Sequence, residues 1–324
     1  MPMAIKFFNK KEGFKKISSL AKNAEPFLFI ISYNKEKIYA KALNNLDKTI
    51  KYSFNCQEPI KLKKRAKLKK YPIKLKEYKR AFNKVIEEIK LGNTYLLNLT
   101  FRTKIETSLS LKDIYTRANA PYKLLIDDTF VCFSPECFIT IKNNKIATFP
   151  MKGTIDASIP NAKDKILNDI KESAEHTMIV DLMRNDLNIV GVKTKVPKFR
   201  YIDKIQAGDK ELLQVSSKIE ANLAENWQEN LGEILDKLTP AGSITGTPKR
   251  KTVEIINSIE PTQRGLYTGI FGIFDGKNLQ SAVMIRAISK EYDKLYYHSG
   301  GGITLDSDVK LEYQELIDKI YLPL

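Results

Sequence analysis

Two short segments hold residue types able to act on a substrate: Ser134-Pro135-Glu136 carries a carboxylic acid, and Pro150-Met151-Lys152-Gly153-Thr154 carries an amine. Together they supply a proton donor and a nucleophile. A lysine amine has an ordinary pKa of about 10.4, so near neutrality roughly one molecule in a thousand is nucleophilic, a deficit of about 4 kcal/mol that burial or a nearby cation must offset. Taken alone, the two residues read more simply as a hairpin ion pair. What decides is whether the chain also offers a cation, an anion-binding surface and a pocket.

Two acidic pairs bear on the cation. Glu172 and Glu175 are three residues apart, as are Glu312 and Glu315, and that spacing sets each pair on one helix face. Like charges so placed destabilise a helix unless a cation lies between them, and two facing ExxE helices suit Mg2+, a hard ion that takes oxygen ligands. The plainer reading is two solvated acidic faces. Gly300-Gly301-Gly302 frees backbone N–H groups to approach an anion, although many such triplets are simply loops. Arg286 suits a bidentate grip on a carboxylate and Tyr267 a hydrogen bond in the same pocket; either also fits an ordinary strand. The segment 242–249 looks superficially like a phosphate loop. Thr247-Pro248 separate Gly246 from Lys249, so no nucleotide site is assigned.

Residues 1–74 carry short strand-like runs (27–32, 37–41, 49–54) and end in a lysine-rich stretch at 61–70. They read as a reduced N-terminal annex of the same unit as 75–324. From 75 the pattern changes: Tyr78, Phe82, Val85, Ile86 and Ile89 share a helical face before Gly92. A strand at 94–101 and a helix and turn near 110–122 follow. Strands then run through 124–150, with Asn143-Asn144 as a tight turn between 138–142 and 145–149. That hairpin can return Glu136 and Lys152 to the same end of a sheet. Beyond it the pattern predicts a long helix at 161–185, strands at 190–195 and 212–220, a helix at 228–237, and a helix after Thr247-Pro248 that ends before Pro261. Strands at 266–274, 280–289 and 294–299 and a terminal helix at 308–321 complete the chain. Strands in runs separated by helices, without regular βαβ alternation, point to an α+β protein built on antiparallel sheets.

With 324 residues, 43% of them hydrophobic, the chain can bury a large core. No apolar run approaches the roughly 20 residues of a membrane span, and 1–20 lacks an apolar export core. Cys56, Cys132 and Cys137 form no CxxC pair and leave one over, which suits a reducing, cytoplasmic setting. Two histidines, His176 and His298, argue against a histidine-rich zinc site. The net charge of +16 raises nucleic-acid binding. The lysine-rich stretch lacks interleaved stacking aromatics, however, so a solvated linker and a positive field that gathers an anionic substrate are expected instead.

Taken together, the ordered motifs resemble the chorismate-utilising enzymes, most closely their aminodeoxychorismate synthase component I branch. They are Ser134-Pro-Glu-Cys-Phe138, Pro150-Met-Lys-Gly-Thr154, Glu175-His-Thr-Met-Ile-Val-Asp-Leu-Met-Arg-Asn-Asp186, Gly242-Ser-Ile-Thr-Gly-Thr-Pro-Lys249, Ile259-Glu-Pro261 with Arg264-Gly265, and Gly300-Gly-Gly-Ile303 followed by Glu312-Tyr-Gln-Glu315. The resemblance runs from about residue 75 to the C-terminus. It implies two large antiparallel sheets packed together with flanking helices, and a cleft holding Mg2+ and chorismate. It makes Glu175 and Glu315 the direct magnesium ligands with Glu172 and Glu312 in support. Arg286, Tyr267, the backbone of Gly300, Gly301 and Gly302, and the Gly153-Thr154 turn then hold substrate.

The branch is read from Lys152, which stands where anthranilate synthases usually carry alanine. By resemblance it attacks C2 of chorismate, Glu136 protonates the departing C4 hydroxyl, and ammonia adds at C4 and displaces the lysine. Leu96 stands where isochorismate and salicylate synthases place a water-activating lysine, and Gln214 where the family often has histidine. No glutaminase segment is visible, so a separate glutamine amidotransferase is expected to supply ammonia. A downstream aminodeoxychorismate lyase on the p-aminobenzoate and folate branch is expected to consume the product.

Overall fold

The computed structural model describes residues 5–54, 67–207 and 210–324. Cys56 and the 61–66 part of the lysine-rich stretch lie outside them. Its last part does not read as a plain linker, because Leu68–Tyr71 forms a short strand against Leu96–Thr107.

Two antiparallel sheets make the molecule, as expected. Among the described residues the first has nine strands and the second eight. In order across the first sheet they are Met151–Asp156, Lys210–Asn222, Lys145–Thr148, Cys137–Lys142, Leu279–Val283, Ile270–Phe274, Phe27–Ile31 and Ile38–Ala42, with Val192–Ala207 also paired to Lys210–Asn222. Across the second they are Gly246–Thr247, Leu96–Thr107, Lys294–Ile303, Ala287–Glu291, Phe130–Ser134, Tyr122–Ile126 and Ile50–Phe54, with Leu68–Tyr71 at the side. Residues 27–54 thus contribute strands to both sheets. Asn143 and Asn144, both at positive φ (52° and 56°), make the tight turn read from the sequence, and Lys142 pairs with Lys145 across it.

A helix at Lys10–Lys22 was not expected. Its signal was present, since Phe14, Ile17, Leu20 and Ala21 recur at helical spacing and Asn9 caps it by accepting from Glu12 N at 3.0 Å. It lies close against the Leu231–Leu238 helix at Gly232, where a Cβ would come within 2.1 Å of Phe14 O.

Four further expectations change. The helix read at 161–185 is two, Ala162–Asn168 and Ile170–Val190, parted at Asp169, whose carboxylate caps the second by accepting from Glu172 N. The strands read at 190–195 and 212–220 are the feet of a longer hairpin, Val192–Ala207 with Lys210–Asn222. The strand read at 280–289 is broken at 284–286, where the chain leaves the first sheet for the second and Arg286 takes φ 51°. Gly300, Gly301 and Gly302 sit within the Lys294–Ile303 strand, not in a loop, opposite Thr100, Leu99 and Asn98. Absent side chains let the strands approach there, for a Cβ on Gly300 would lie 2.5 Å from Leu99 O.

One buried ion pair ties these layers. Arg264, 2% exposed in its side chain, is bonded to Glu260 through Nε (2.9 Å) and Nη2 (2.7 Å) and donates to Ile244 O and Asn98 O, both at 2.7 Å. Glu260 also accepts from Thr100 N at 2.9 Å. Removing one partner strands the other charge, so Glu260→Gln is expected to lower unfolding free energy by about 3–5 kcal/mol in urea titrations.

Candidate active site

A cavity of 570 Å³ opens between the sheets. Its wall includes Glu136, Lys152, Gly153, Thr154, Glu172, Tyr267, Arg286, Gly300, Gly302 and Glu315, which is most of the residues singled out from the sequence. Glu175, Glu312 and Gly301 stand directly behind: Glu175 contacts Lys152, and a Cβ on Gly301 would meet Glu312 Oε2 at 3.3 Å and Glu315 Oε1 at 3.5 Å.

Local backbone irregularities aim the two reactive groups. Met151 pairs with Ser216 and Thr154 with Gln214, so the strand bearing Lys152 holds one residue more than its partner. This bulge, with Gly153 at φ 82°, turns the Lys152 side chain out of the sheet's regular alternation. Glu136 sits where the chain passes from the Phe130–Ser134 strand of one sheet to the Cys137–Lys142 strand of the other. Burial pushes its carboxyl above the usual range, against the hydrogen bond from Ser243 and the charge of Arg286. A carboxyl so raised suits proton donation.

Lys152 does not pair with Glu136. Its Nζ lies 2.6 Å from Glu175 Oε2. Burial alone would push the amine down, but the Glu175 carboxylate outweighs it and holds the ammonium above its ordinary value. Glu172 and Glu312 are pushed up by burial. Burial acts on Glu315 in the same sense, yet Lys319, 2.6 Å away, brings it below the usual carboxylate range.

The four carboxylates fit a hard cation. Glu172 Oε2 is buried with no hydrogen-bond partner, and the glycines at 153 and 301 leave the space beside Glu172, Glu312 and Glu315 that a side chain would fill. Among the described residues, no three acidic, histidine or cysteine side chains close around a point as they stand. Lysine ammonium groups neutralise Glu175 and Glu315 instead.

Three wall residues escaped the sequence reading. Lys319, one helical turn beyond Glu315, donates to Gly300 O at 2.8 Å; the spacing 312, 315, 319 was its available signal. His298 stacks on Tyr267 with ring centroids 5.0 Å apart, lies 2.8 Å from Ser289 Oγ, and is held by burial at about 3, hence neutral. Ser243 belongs to the segment set aside as a failed phosphate loop. Burial pushes the Tyr267 hydroxyl up to about 12, which keeps it a donor. Leu96 and Gln214 both face the cavity. His176, by contrast, is buried against Ser217 at 2.7 Å.

A family model described as chorismate binding enzyme matches residues 12–324. The chain belongs to the chorismate-binding enzymes. It is 49% identical over 311 residues to an "uncharacterized PabA-like protein" of Haemophilus influenzae, covering 94% of each. It is 32% identical over 259 residues to aminodeoxychorismate synthase component 1 of Bacillus subtilis, covering 75% of this chain and 54% of that one, so it spans about half the length of that relative. Among solved structures it superposes on the menaquinone-specific isochorismate synthase MenF of Escherichia coli with TM-score 0.73, covering 98% of this chain and 82% of that one, at 15% identity, a likeness of fold alone.

Arg286 lines the cavity, and its placement bears on how the wall would meet an anion. Its guanidinium lies 5.5 Å from the Tyr321 ring centroid, in the C-terminal tail. Loss of that contact through Tyr321→Ala is expected to weaken chorismate binding about two- to fivefold by calorimetry, with Tyr321→Trp near wild type.

Proposed function

We propose that the protein is the chorismate-aminating component of an aminodeoxychorismate synthase, converting chorismate and ammonia to 4-amino-4-deoxychorismate. The observation that carries this reading is that Lys152 and Glu136 line one cavity. In the proposed sequence, Lys152 Nζ attacks C2 of chorismate as the double bond shifts and the C4–O bond breaks. Glu136 gives its proton to the departing hydroxyl, which leaves as water. Ammonia then forms the C4–N bond, the double bond returns, and the C2–N bond to Lys152 breaks to release product.

Arg286 and Lys319 supply two cationic groups for the substrate carboxylates, and Tyr267 a hydroxyl donor. Leu96 offers no base to activate water, which disfavours hydration to isochorismate. Lysine at 152 in place of alanine favours the covalent route over anthranilate formation. As the site stands, Glu175 holds Lys152 as an ammonium. Its use as a nucleophile requires that carboxylate's charge to be engaged elsewhere. Glu175 and Glu315, supported by Glu172 and Glu312, would hold Mg2+, which when bound neutralises these carboxylates and grips a substrate carboxylate. Ammonia would come from a separate glutamine amidotransferase, and a lyase would convert the product to p-aminobenzoate in the cytoplasm. Among the described residues no helix is long and apolar enough to cross a membrane.

The test is product analysis. Purified protein given chorismate, Mg2+ and ammonium is expected to yield aminodeoxychorismate, which gives p-aminobenzoate only once a lyase is added. Fluorescent anthranilate released with pyruvate would overturn the reading. Lys152→Ala is expected to lower that rate at least a thousandfold at saturating ammonium, the covalent route being closed. For the metal, Mg2+ at 100 times its Kd is expected to stabilise the protein by about 2.7 kcal/mol, read as a rise in melting temperature. That rise should vanish in Glu175→Gln and in Glu315→Gln.

A further inference from the structure

The segment 242–249, which fits no phosphate loop, reaches the cavity through Ser243 and Ile244, of which Ser243 alone brings a hydroxyl. Ser243 Oγ is hydrogen-bonded to Glu136 Oε1, and both residues line the cavity. Glu136's backbone is already fixed, its N–H donating to Ser134 Oγ at 3.1 Å and its carbonyl accepting from Val283 N at 3.1 Å. The carboxyl itself still turns about its side-chain torsions unless something holds it.

The turn carrying Ser243 is fixed from several directions. Thr245 N donates to Gly242 O at 3.2 Å, Thr245 Oγ1 to Ala241 O at 2.9 Å, and Arg264 Nη1 to Ile244 O at 2.7 Å. Gly242 lies so close to the long helix that a Cβ would come within 3.1 Å of both Asp186 Oδ2 and Leu182 Cδ2. Ser243 is therefore set by the packed core. Facing Glu136 from the other elements are Arg286 at the sheet crossover, Lys319 beyond the terminal helix, Tyr267, and its neighbour Cys137. Both cations attract the carboxyl when it is ionised.

We propose that Ser243 is a positioning residue that ties down Oε1 of Glu136, leaving Oε2 to carry the proton delivered to the departing C4 hydroxyl. The proposal rests on the amination reading above. It gives the 242–249 motif a task, which is to set the direction of the acid. A carboxyl free to swing towards Arg286 and Lys319 spends less time in line with the leaving oxygen, and misalignment of this kind costs catalysis more than binding.

Ser243→Ala and Ser243→Thr are compared with wild type in chorismate, Mg2+ and ammonium chloride, with unchanged melting temperatures confirming folding. In Ser243→Ala, kcat is expected to fall tenfold to a hundredfold with the chorismate KM within about threefold of wild type. Ser243→Thr, which keeps the hydroxyl, recovers most of the rate. The hydrogen bond favours the ionised carboxyl, so its loss raises the Glu136 pKa and moves the alkaline limb of kcat to higher pH in the alanine variant alone. Wild-type kcat in Ser243→Ala overturns the proposal, as does a lowered kcat with an unmoved alkaline limb or without rescue by threonine. If wild type forms no aminated product, it is the amination reading that fails. The tie is then scored in the free enzyme: the 13C carboxyl titration of Glu136 must move up in Ser243→Ala, and an unmoved titration overturns it.

Discussion

Two strand crossovers, locked to each other by backbone hydrogen bonds, are the constraint on which the site depends. One passes from sheet to sheet at Pro135-Glu136, the other at 284–286. Val283 N donates to Glu136 O and Phe133 N to Arg286 O, both at 3.1 Å, so neither crossover can shift without the other. A regular strand alternates its side chains between two faces, and a residue at a crossover escapes that rule. Glu136 and Arg286 consequently share a cavity although they lie on chain segments far apart in sequence. The left-handed backbone at Arg286, uncommon for a residue with a long side chain, is a local cost accepted for that placement.

Charge is the second constraint. Four carboxylates gathered on two helices repel one another, and burial adds to the cost of ionising them. Lys152 and Lys319 offset this, each 2.6 Å from one of them. The same lysines face the cavity, so groups that keep these carboxylates together are also groups open to whatever enters it. Arg264 and Glu260 stand apart from that exchange. Buried, mutually paired and bonded to the backbone of Asn98, Ile244 and Thr100, they hold two cavity-wall residues whatever the cavity contains.

How much of this the sequence revealed depended on whether a signal was local. Asn143-Asn144 announces its turn because few residues tolerate two successive positive φ values, and the hairpin followed correctly. The residues of the ExxE pairs and the glycine triplet lie on the cavity wall or directly behind it. The break of 280–289 was not legible, for the run holds no glycine or proline to mark it and the residue that takes the left-handed conformation is an arginine. Gly300–Gly302 read as the junction of a strand with a loop because glycine weakens strands, whereas the strand runs on through them and at Gly300 the backbone of Leu99 leaves no room for a Cβ. Asp169 splits one helical run into two because its carboxylate satisfies an N–H of the next helix, a capping choice that periodicity cannot see. Ser243 became visible only through its contact to Glu136, more than a hundred residues away, whereas Lys319 shares the helical spacing of Glu312 and Glu315 and shows its place through its bond to Gly300 O.

A fold shared with MenF at 15% identity does not choose a reaction, since the same two sheets can frame different chemistry. On the proposed reading the choice falls to a few positions on strands facing the cavity. Position 152 is displaced by its bulge, position 214 follows on the strand paired with it, and position 96 enters from the other sheet. At 96 a leucine presents hydrocarbon, and at 214 a glutamine presents an amide that cannot act as a base near neutrality. Of the three, Lys152 alone brings an ionisable nitrogen, and its present protonation is set by Glu175. If Lys152 is the nucleophile, as proposed, the reactivity of the site turns on a single ion pair whose two members belong to different elements, the bulged strand and the long helix. Any event that draws the Glu175 charge away from that strand releases the amine, and any that strengthens the pair keeps it inert.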